Sequence, residues 1–372
     1  MTTTGPAPAP SYEGIDVRPL QAPPVDALLL VSFGGPEGPD DVLPVMQNVT
    51  AGRGIPAARL EEVSRHYLEV FDGVSPINAQ ARALKAALEA ELAEHGPDLP
   101  VYWGNRNWTP FLFDAVAQMR DDGRRHALAV VTSAFPSYSG CRQYREDWWR
   151  ARAEVGAGAP LISKLRHYWS EEGFLAPMAR NVAATEPAPG ARLVFTAHSI
   201  PTVMNASSGP PEVDGSYEKA LREAAAGVVA RLGGDWQWDL VFQSRSGPPQ
   251  VPWLEPDVGD HLVALHAEGV TEAVMVPIGF TSDHVEVLYD LDLQAQEQVA
   301  GLEGFTAKRA ATVGTDPEFV AMLRTLVVER LAGDELPTHG ALATHDRCPV
   351  GCCQPPPARP SRPAAQSGPP SA

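Results

Sequence analysis

The chain has 372 residues and a formal net charge of −17, because 46 acidic residues outnumber 29 Lys and Arg. This length exceeds one typical domain, so two domains with sizeable cores are expected. The acidic balance, with no basic run to offset it, excludes nucleic acid and anionic membrane surfaces as natural ligands. No apolar run is long enough to cross a bilayer, and the N-terminus lacks a signal-peptide pattern. We therefore expect a cytoplasmic protein with no stable membrane anchor.

Short apolar runs alternate with helical patterns along most of the chain. Strands are predicted at 27–33, 101–106, 127–135, 161–167, 193–197, 240–243 and 273–277. Helices are predicted at 79–95, 111–119, 173–183, 217–232, 258–268, 284–299 and 318–331. This alternation predicts an α/β fold of two similar doubly wound, Rossmann-like domains, whose parallel sheets face across a cleft. A glycine pair at 34–35 follows the first strand, but no dinucleotide or P-loop motif is present, which argues against nucleotide binding.

Composition predicts the limits of these domains. Residues 1–25 are rich in Pro, Ala and Thr and are expected to form a disordered leader. The first domain is predicted at 26–189 and the second at 190–333, with an EPAPG stretch at 186–190 as the boundary. Residues 334–372 contain three cysteines and end in a Pro-rich tail that is predicted to be disordered.

Ionisable side chains follow two of the predicted strands in the second half. The first stretch reads RLVFTAHSIP and places His198 at the end of its strand, and the second reads PIGFTSDHVEVLYDLD over 277–292. Ligands bind at the carboxyl ends of strands in open α/β sheets. In a regular helix Glu286, Asp290 and Gln294 would share one face and could carry protons or a hard cation. The alternatives are a core histidine with a satisfied ring and an ordinary solvated helix face.

The four cysteines are placed unevenly in the chain. Cys141 stands alone, whereas Cys348, Cys352 and Cys353 lie in a CPVGCC stretch near the C-terminus. Without a secretion signal, a disulfide framework is not expected. Four thiolates suit either a Cys₄ iron–sulfur cluster or a tetrahedral zinc ion. The remaining interpretation, unpaired thiols, fits poorly with three cysteines in six residues.

Several of these stretches together resemble the ferrochelatases. AHSIP and PIGFTSDHVEVLYDLD are similar to the two active-site segments of that family. The resemblance continues through SFGGP at 32–36, GVSPIN at 73–78, YWGNRNWTP at 102–110, QSRSGP and WLEP between 243 and 256, and the helix after Asp316. The resemblance covers residues 26 to about 333. It implies the two-domain chelatase fold, with the last helix returning to the first domain, and insertion of Fe²⁺ as a substrate into a porphyrin.

The resemblance also implies roles for individual residues. His198 and Glu286 would bind iron and perform catalysis, and Asp290 and Gln294 would continue a proton or metal path. The predicted substrate-binding residues are Ser75, Tyr144, Arg53, Arg106 and Phe33. The chain departs from some members at Phe33, where they have a tyrosine, and at Gln294, where they have an acid. The four cysteines are similar to those that hold a [2Fe–2S] cluster in part of the family.

The composition and the CPVGCC tail resemble actinobacterial ferrochelatases, which implies coproporphyrin III as substrate and coprohaem as product. The four propionates of that porphyrin would need cationic or hydroxyl partners around the rim. The alternatives are a protoporphyrin IX ferrochelatase, a chelatase for another tetrapyrrole, and a non-catalytic haem-binding or delivery protein. We expect a monomer that binds a porphyrin and makes transient contacts with neighbouring haem-pathway enzymes.

Overall fold

The computed structural model describes residues 22–51, 57–247, 250–333, 348–349 and 351–356. The predicted leader up to residue 21, the predicted tail from 357 and Arg53 lie outside these residues. Eight strands form two four-stranded sheets within the described ranges. The first sheet contains β1 (Ala27–Ser32), β2 (Val101–Asn105), β3 (His126–Val131) and β4 (Leu161–Lys164). The second contains β5 (Arg192–His198), β6 (Trp238–Gln243), β7 (Glu272–Val276) and β8 (Thr306–Arg309).

Both sheets are parallel and have the same connectivity. The strand orders are β2-β1-β3-β4 and β6-β5-β7-β8. The central strand β1 is a run of Ala, Leu and Val whose side chains are fully buried, as a parallel strand covered on both faces requires. The α/β class with two similar parallel sheets is therefore confirmed.

The helices cover the faces of these sheets. In chain order they are α1 (Pro39–Thr50), α2 (Ala57–Phe71), α3 (Ile77–His95), α4 (Leu112–Asp121), α5 (Gln143–Val155), α6 (Glu172–Ala183), α7 (Thr202–Ala206), α8 (Ser216–Leu232), α9 (Val258–Ala267), α10 (Val285–Val287), α11 (Ala295–Val299) and α12 (Pro317–Ala332). Two further segments, Tyr138–Arg142 and Leu288–Gln294, are π-helical. None of the described helices combines the length and apolar character needed to span a bilayer.

All seven predicted strands are present, but the sequence prediction omitted β8, α1, α2, α5 and α7. The regular helix predicted at 284–299 is wrong in its central part. There the chain runs through α10, the π-helical segment Leu288–Gln294 and then α11. The extra residue per turn of a π-helix changes which side chains lie beside one another, and such segments are frequent at functional sites.

The carboxyl ends of the two sheets lie together. The Thr281 hydroxyl, after β7, donates a hydrogen bond of 2.9 Å to the Thr132 carbonyl, after β3. The Gln80 side chain on α3 donates to the Asp283 carbonyl at 2.9 Å. One apolar cluster includes Leu30 of β1 and Phe195 of β5, and α12 packs against both α3 and α6. The loops that follow the central strands of both sheets therefore border a single cleft.

Candidate active site

His198 ends β5 and is fixed through its backbone and one ring nitrogen. Its Nδ1 lies 2.5 Å from the Ser199 carbonyl oxygen, which can only accept, so Nδ1 carries the proton. The Tyr217 hydroxyl on α8 donates to the His198 carbonyl at 2.9 Å. Ser199 is held in turn by a hydrogen bond of 2.8 Å from its hydroxyl to the Leu254 carbonyl. Nε2 is therefore left to face the cleft with its lone pair whenever the ring is neutral.

Glu286 lies opposite His198 on the short helix α10. Its Oε1 is 3.7 Å from His198 Nε2, and the two side chains are 43% and 33% exposed. The neighbouring His284 caps this helix, because its Nδ1 accepts a hydrogen bond of 3.2 Å from the Glu286 amide. The contact is longer than a hydrogen bond, so both groups remain able to bind a third atom.

The histidine and the glutamate change each other's pKa values. Burial alone lowers the pKa of His198, but the Glu286 carboxylate outweighs burial, and the net pKa is raised. Burial alone raises the pKa of Glu286, but attraction to His198 outweighs it and lowers the pKa to about 2. Water in the open cleft screens this attraction. Glu286 is therefore ionised near neutral pH, and its carboxylate favours the protonated form of His198.

Asp290 lies in the π-helical segment Leu288–Gln294, behind Glu286. Its Oδ2 accepts hydrogen bonds from Ser244 Oγ and, at 3.2 Å, from Gln243 Nε2. The same Gln243 amide donates to the Glu286 carbonyl at 3.0 Å, which links the two acidic residues. Burial, followed by repulsion from Glu286, raises the pKa of Asp290 to about 6. Asp290 can therefore accept or release a proton near neutral pH.

Gln294 ends the π-helical segment and leads away from the cleft. Asp290 and Gln294 both line a cavity of about 450 Å³, together with Ser244, Asp257 and Gln298. The predicted row of Glu286, Asp290 and Gln294 thus runs from the cleft to this cavity, with Asp290 bound to the end of β6. The relative positions of these three side chains are set by the π-helix and not by a regular helix face.

A buried polar network shapes the loop after β1. Trp103 Nε1 donates to Ser32 Oγ at 2.8 Å, and Ser32 Oγ donates to the Asn105 side chain. Gly35 lies so close to Ser75 that a Cβ at Gly35 would be 2.8 Å from the Ser75 Cβ. Ser75 is buried against this loop and is only 6% exposed. The contact explains why the chain has a residue without a side chain at Gly35.

Phe33, Arg106 and Tyr144 are brought together beside the same loop. The Arg106 guanidinium carbon lies 5.9 Å from the Phe33 ring centre and 4.7 Å from that of Tyr144, within cation–π range. Phe33 is 37% exposed, whereas Tyr144 is buried. Arg106 Nε also lies 2.6 Å from Asp147 Oδ2, so its charge already has a partner inside the protein. Arg53, the other predicted arginine, lies outside the described residues.

The four cysteines form one buried cluster. Cys141 lies in the π-helical segment Tyr138–Arg142, and the Sγ atoms of Cys352 and Cys353 are 3.8 Å apart. The Gly209 amide donates to Cys353 Sγ at 3.2 Å. Hydrogen bonds from Cys348 and Cys353 hold the pKa of the Cys141 thiol well below its usual range. Among the described residues, however, no group of three or more His, Cys, Asp or Glu side chains has the arrangement of a ready-made metal site.

Several residues of the site were not assigned a role from the sequence. Tyr67 on α2 is partly buried near Glu286 and Asp290, and its pKa is raised by burial first and then by these two carboxylates. Gln243 and Ser244, which bind Asp290, form a polar pair at the carboxyl end of β6. That pair was a usable signal, because polar residues at the carboxyl end of a parallel strand face the ligand side. Tyr67 gave no such signal.

The two similar parallel sheets, with the His198–Glu286 pair where their carboxyl ends meet, have the chelatase fold. The structure is similar to that of SirB from Bacillus subtilis with Fe3+, with a TM-score of 0.51 and 13% identity, over 83% of this chain and 96% of that one. At this identity the similarity shows the fold alone.

Sequence comparison gives the family. A ferrochelatase family model matches residues 25–331. The chain is 53% identical to the coproporphyrin III ferrochelatase of Streptomyces coelicolor, over 93% of this chain and 97% of the relative. It is 49% identical to the ferrochelatase of Rhodopirellula baltica, over 91% of this chain and 96% of the relative. The chain therefore belongs to the ferrochelatase family, as its motifs predicted.

Proposed function

We propose that this enzyme inserts Fe²⁺ into coproporphyrin III, forming Fe-coproporphyrin and releasing two pyrrole protons. The observation that carries the proposal is the His198–Glu286 pair, which presents a ring nitrogen and a carboxylate 3.7 Å apart in an open cleft. A neutral imidazole and a carboxylate suit a divalent first-row metal, and both groups can also accept protons. The pair thus supplies the two chemical functions that the reaction requires.

The positions of His198, Glu286 and Asp290 support a division of metal binding and proton transfer among these residues. His198 donates from Nδ1 to Ser199, so its Nε2 is the atom that meets either the metal or a pyrrole proton. Glu286 keeps its negative charge near neutral pH and stabilises positive charge at Nε2. Asp290, with a pKa raised to about 6, can receive a proton from the cleft and release it into the cavity beyond Gln294. Protons would then leave on the side opposite the porphyrin.

The substrate assignment rests mainly on the relatives. The named relatives from Streptomyces coelicolor and Nocardia farcinica are coproporphyrin III ferrochelatases and are 53% and 50% identical to this chain. Phe33 offers an exposed aromatic face beside Arg106, suited to a flat macrocycle with anionic substituents. Because Arg106 is already bound to Asp147, we propose that it stacks under the ring edge and shares its charge between Asp147 and a propionate.

Turnover measurements test the proposal directly. Wild-type enzyme should convert Fe²⁺ and coproporphyrin III anaerobically, with a higher kcat/KM than for protoporphyrin IX. H198A and E286Q should each lower kcat/KM by about a hundredfold or more. H95A removes an exposed histidine from the end of α3 and serves as the matched control. Undiminished turnover in H198A would contradict the proposed chemistry, and a preference for protoporphyrin IX would contradict only the substrate.

We further propose that Cys141, Cys348, Cys352 and Cys353 hold a [2Fe–2S] cluster. The four thiols are buried together, and the 3.8 Å between two sulfurs fits adjacent ligands of a tetrahedral metal with metal–sulfur bonds of about 2.3 Å. Such a centre would fix the C-terminal segment to the chain around Cys141 and Gly209, in a structural role. Purified protein should contain iron and acid-labile sulfide in stoichiometric amounts. Zinc without sulfide would favour a Cys₄ zinc site instead.

A further inference from the structure

Lys164, the last residue of β4, is a buried cation with an unusual environment. The residue is only 4% exposed, and its Nζ has no hydrogen-bond partner among the described residues. An ammonium group removed from water is strongly destabilising unless a negative charge lies nearby. The fold therefore implies a negative partner for Lys164.

Arg166, a buried cation two residues further along the chain, already has such partners. Arg166 pairs with Glu171 and, at 2.9 Å, with Glu329. Lys164 lines the same small cavity as Arg166 and Cys141, but no carboxylate of the described residues pairs with its Nζ. The titratable groups whose charged forms act most strongly on it are the Cys348 and Cys141 thiolates and the neighbouring cation Arg145. The available negative charge is thus that of the cysteine cluster.

We propose that Lys164 is the counter-charge that allows the four cysteines to hold an anionic metal centre. Two ferric ions, two sulfides and four thiolates sum to a formal charge of minus two, and one zinc ion with four thiolates gives the same charge. One ammonium beside the sulfurs offsets half of that charge, and Arg145 lines the same cavity. This inference rests on the cysteine centre proposed above and adds a residue that binds no metal itself.

The substitution K164M removes the charge and keeps the length and apolar stem of the side chain. We expect the centre to be lost to a chelator about 10-fold to 100-fold faster than in wild type, as for other residues that support metal ligands. In metal-free protein the same substitution should leave the thermal midpoint unchanged or raise it, because an uncompensated buried charge disappears. A purely structural lysine would instead lower the midpoint both with and without metal.

Two further variants complete the experiment. K164R keeps the charge and should restore slow metal loss, at least in part. K219M removes an exposed lysine on α8, whose Nζ donates to the Asp214 carbonyl, and controls for the general effect of one lost charge. Metal loss in K164M at the wild-type rate, or slow loss in K164M and fast loss in K164R, would overturn the inference.

Iron, sulfide and zinc in the wild-type protein are measured first, and porphyrin turnover is recorded alongside. A wild-type centre that K164M leaves unchanged overturns the role of Lys164 but leaves the cysteine centre and the iron-insertion activity intact. Wild-type protein with none of the three components overturns the centre and, with it, the role of Lys164. Absence of turnover in metal-loaded wild type contradicts the proposed activity alone.

Discussion

The raised pKa of Asp290 predicts that this carboxylate destabilises the folded protein at neutral pH. Burial and repulsion from Glu286 raise its pKa from 3.8 to about 6. Because the folded state binds this proton more tightly than the unfolded chain, stability falls as pH rises between these two values. The penalty is absent well below pH 4 and complete above about pH 6. D290N should remove it, since an amide oxygen can still accept from Gln243 and Ser244.

The size of the effect follows from the same values. The difference between 3.8 and about 6 corresponds to about 3 kcal/mol. Solvent screening at a side chain that is only partly buried reduces this to about 1–2 kcal/mol. Roughly a third of this effect is already present at pH 4.5, so we expect the free energy of unfolding of D290N to rise relative to wild type by about 1 kcal/mol between pH 4.5 and 7.5. Turnover should fall, because the proposed proton acceptor is lost, so stability and activity should change in opposite directions.

The assay is urea unfolding of wild type and D290N, followed by tryptophan fluorescence at both pH values. The difference in the free energy of unfolding between the two proteins is compared at the two pH values, which removes the pH-independent effect of replacing Asp by Asn. D98N, which deletes an exposed carboxylate, controls for the loss of one negative charge from an acidic chain. A stability difference that stays constant with pH, or that grows towards acid, would refute the argument.

Three further predictions concern the other charged groups. Zn²⁺, used as a redox-inert probe of the cleft, should bind more weakly as pH falls through the raised pKa of His198, because the protonated ring cannot bind metal. In E286Q the titration of His198, followed by NMR, should move to lower pH, because the carboxylate that raises its pKa is gone. A His198 pKa that E286Q leaves unchanged would contradict the proposed effect of Glu286 on that pKa. C141S should lose iron and sulfide together, measured by metal and sulfide analysis, whereas retention of both would exclude Cys141 as a ligand. D147N should lower the free energy of unfolding, measured in urea, by about 2 kcal/mol. The reason is that the substitution leaves the Arg106 side chain, which is 9% exposed, without its acidic partner. An unchanged unfolding midpoint would show that this pair contributes little to stability.

The strand pattern and the two main residues of the candidate site could be predicted from the amino-acid sequence. Buried parallel strands leave continuous apolar runs, which is why all seven predicted strands are present. His198 ends one such run and Glu286 lies in the segment that follows another, so both were expected at the carboxyl edge of a sheet, and they lie 3.7 Å apart. The omitted helix α5 also had a local signal, because Tyr144, Trp148, Ala151 and Val155 recur at helical spacing and are buried.

Other omissions had no clear local signal. Helix α1 contains Pro44, a residue that normally argues against a helix interior, and β8 is a four-residue strand without an apolar run. Their formation depends on the elements against which they pack. Propensity and periodicity describe neighbours along the chain, so they say little about elements that are stabilised by distant ones.

Only the tertiary structure decided the partners of the charged and polar side chains. The π-helix brings Asp290 to Gln243 and Ser244 at the end of β6, and the fold pairs Arg106 with Asp147. It also buries Lys164 beside Cys141. A charge removed from water must be compensated by whatever group the fold places within a few ångströms. Those groups come from segments far apart in the chain, and local sequence patterns carry no information about which of them will meet.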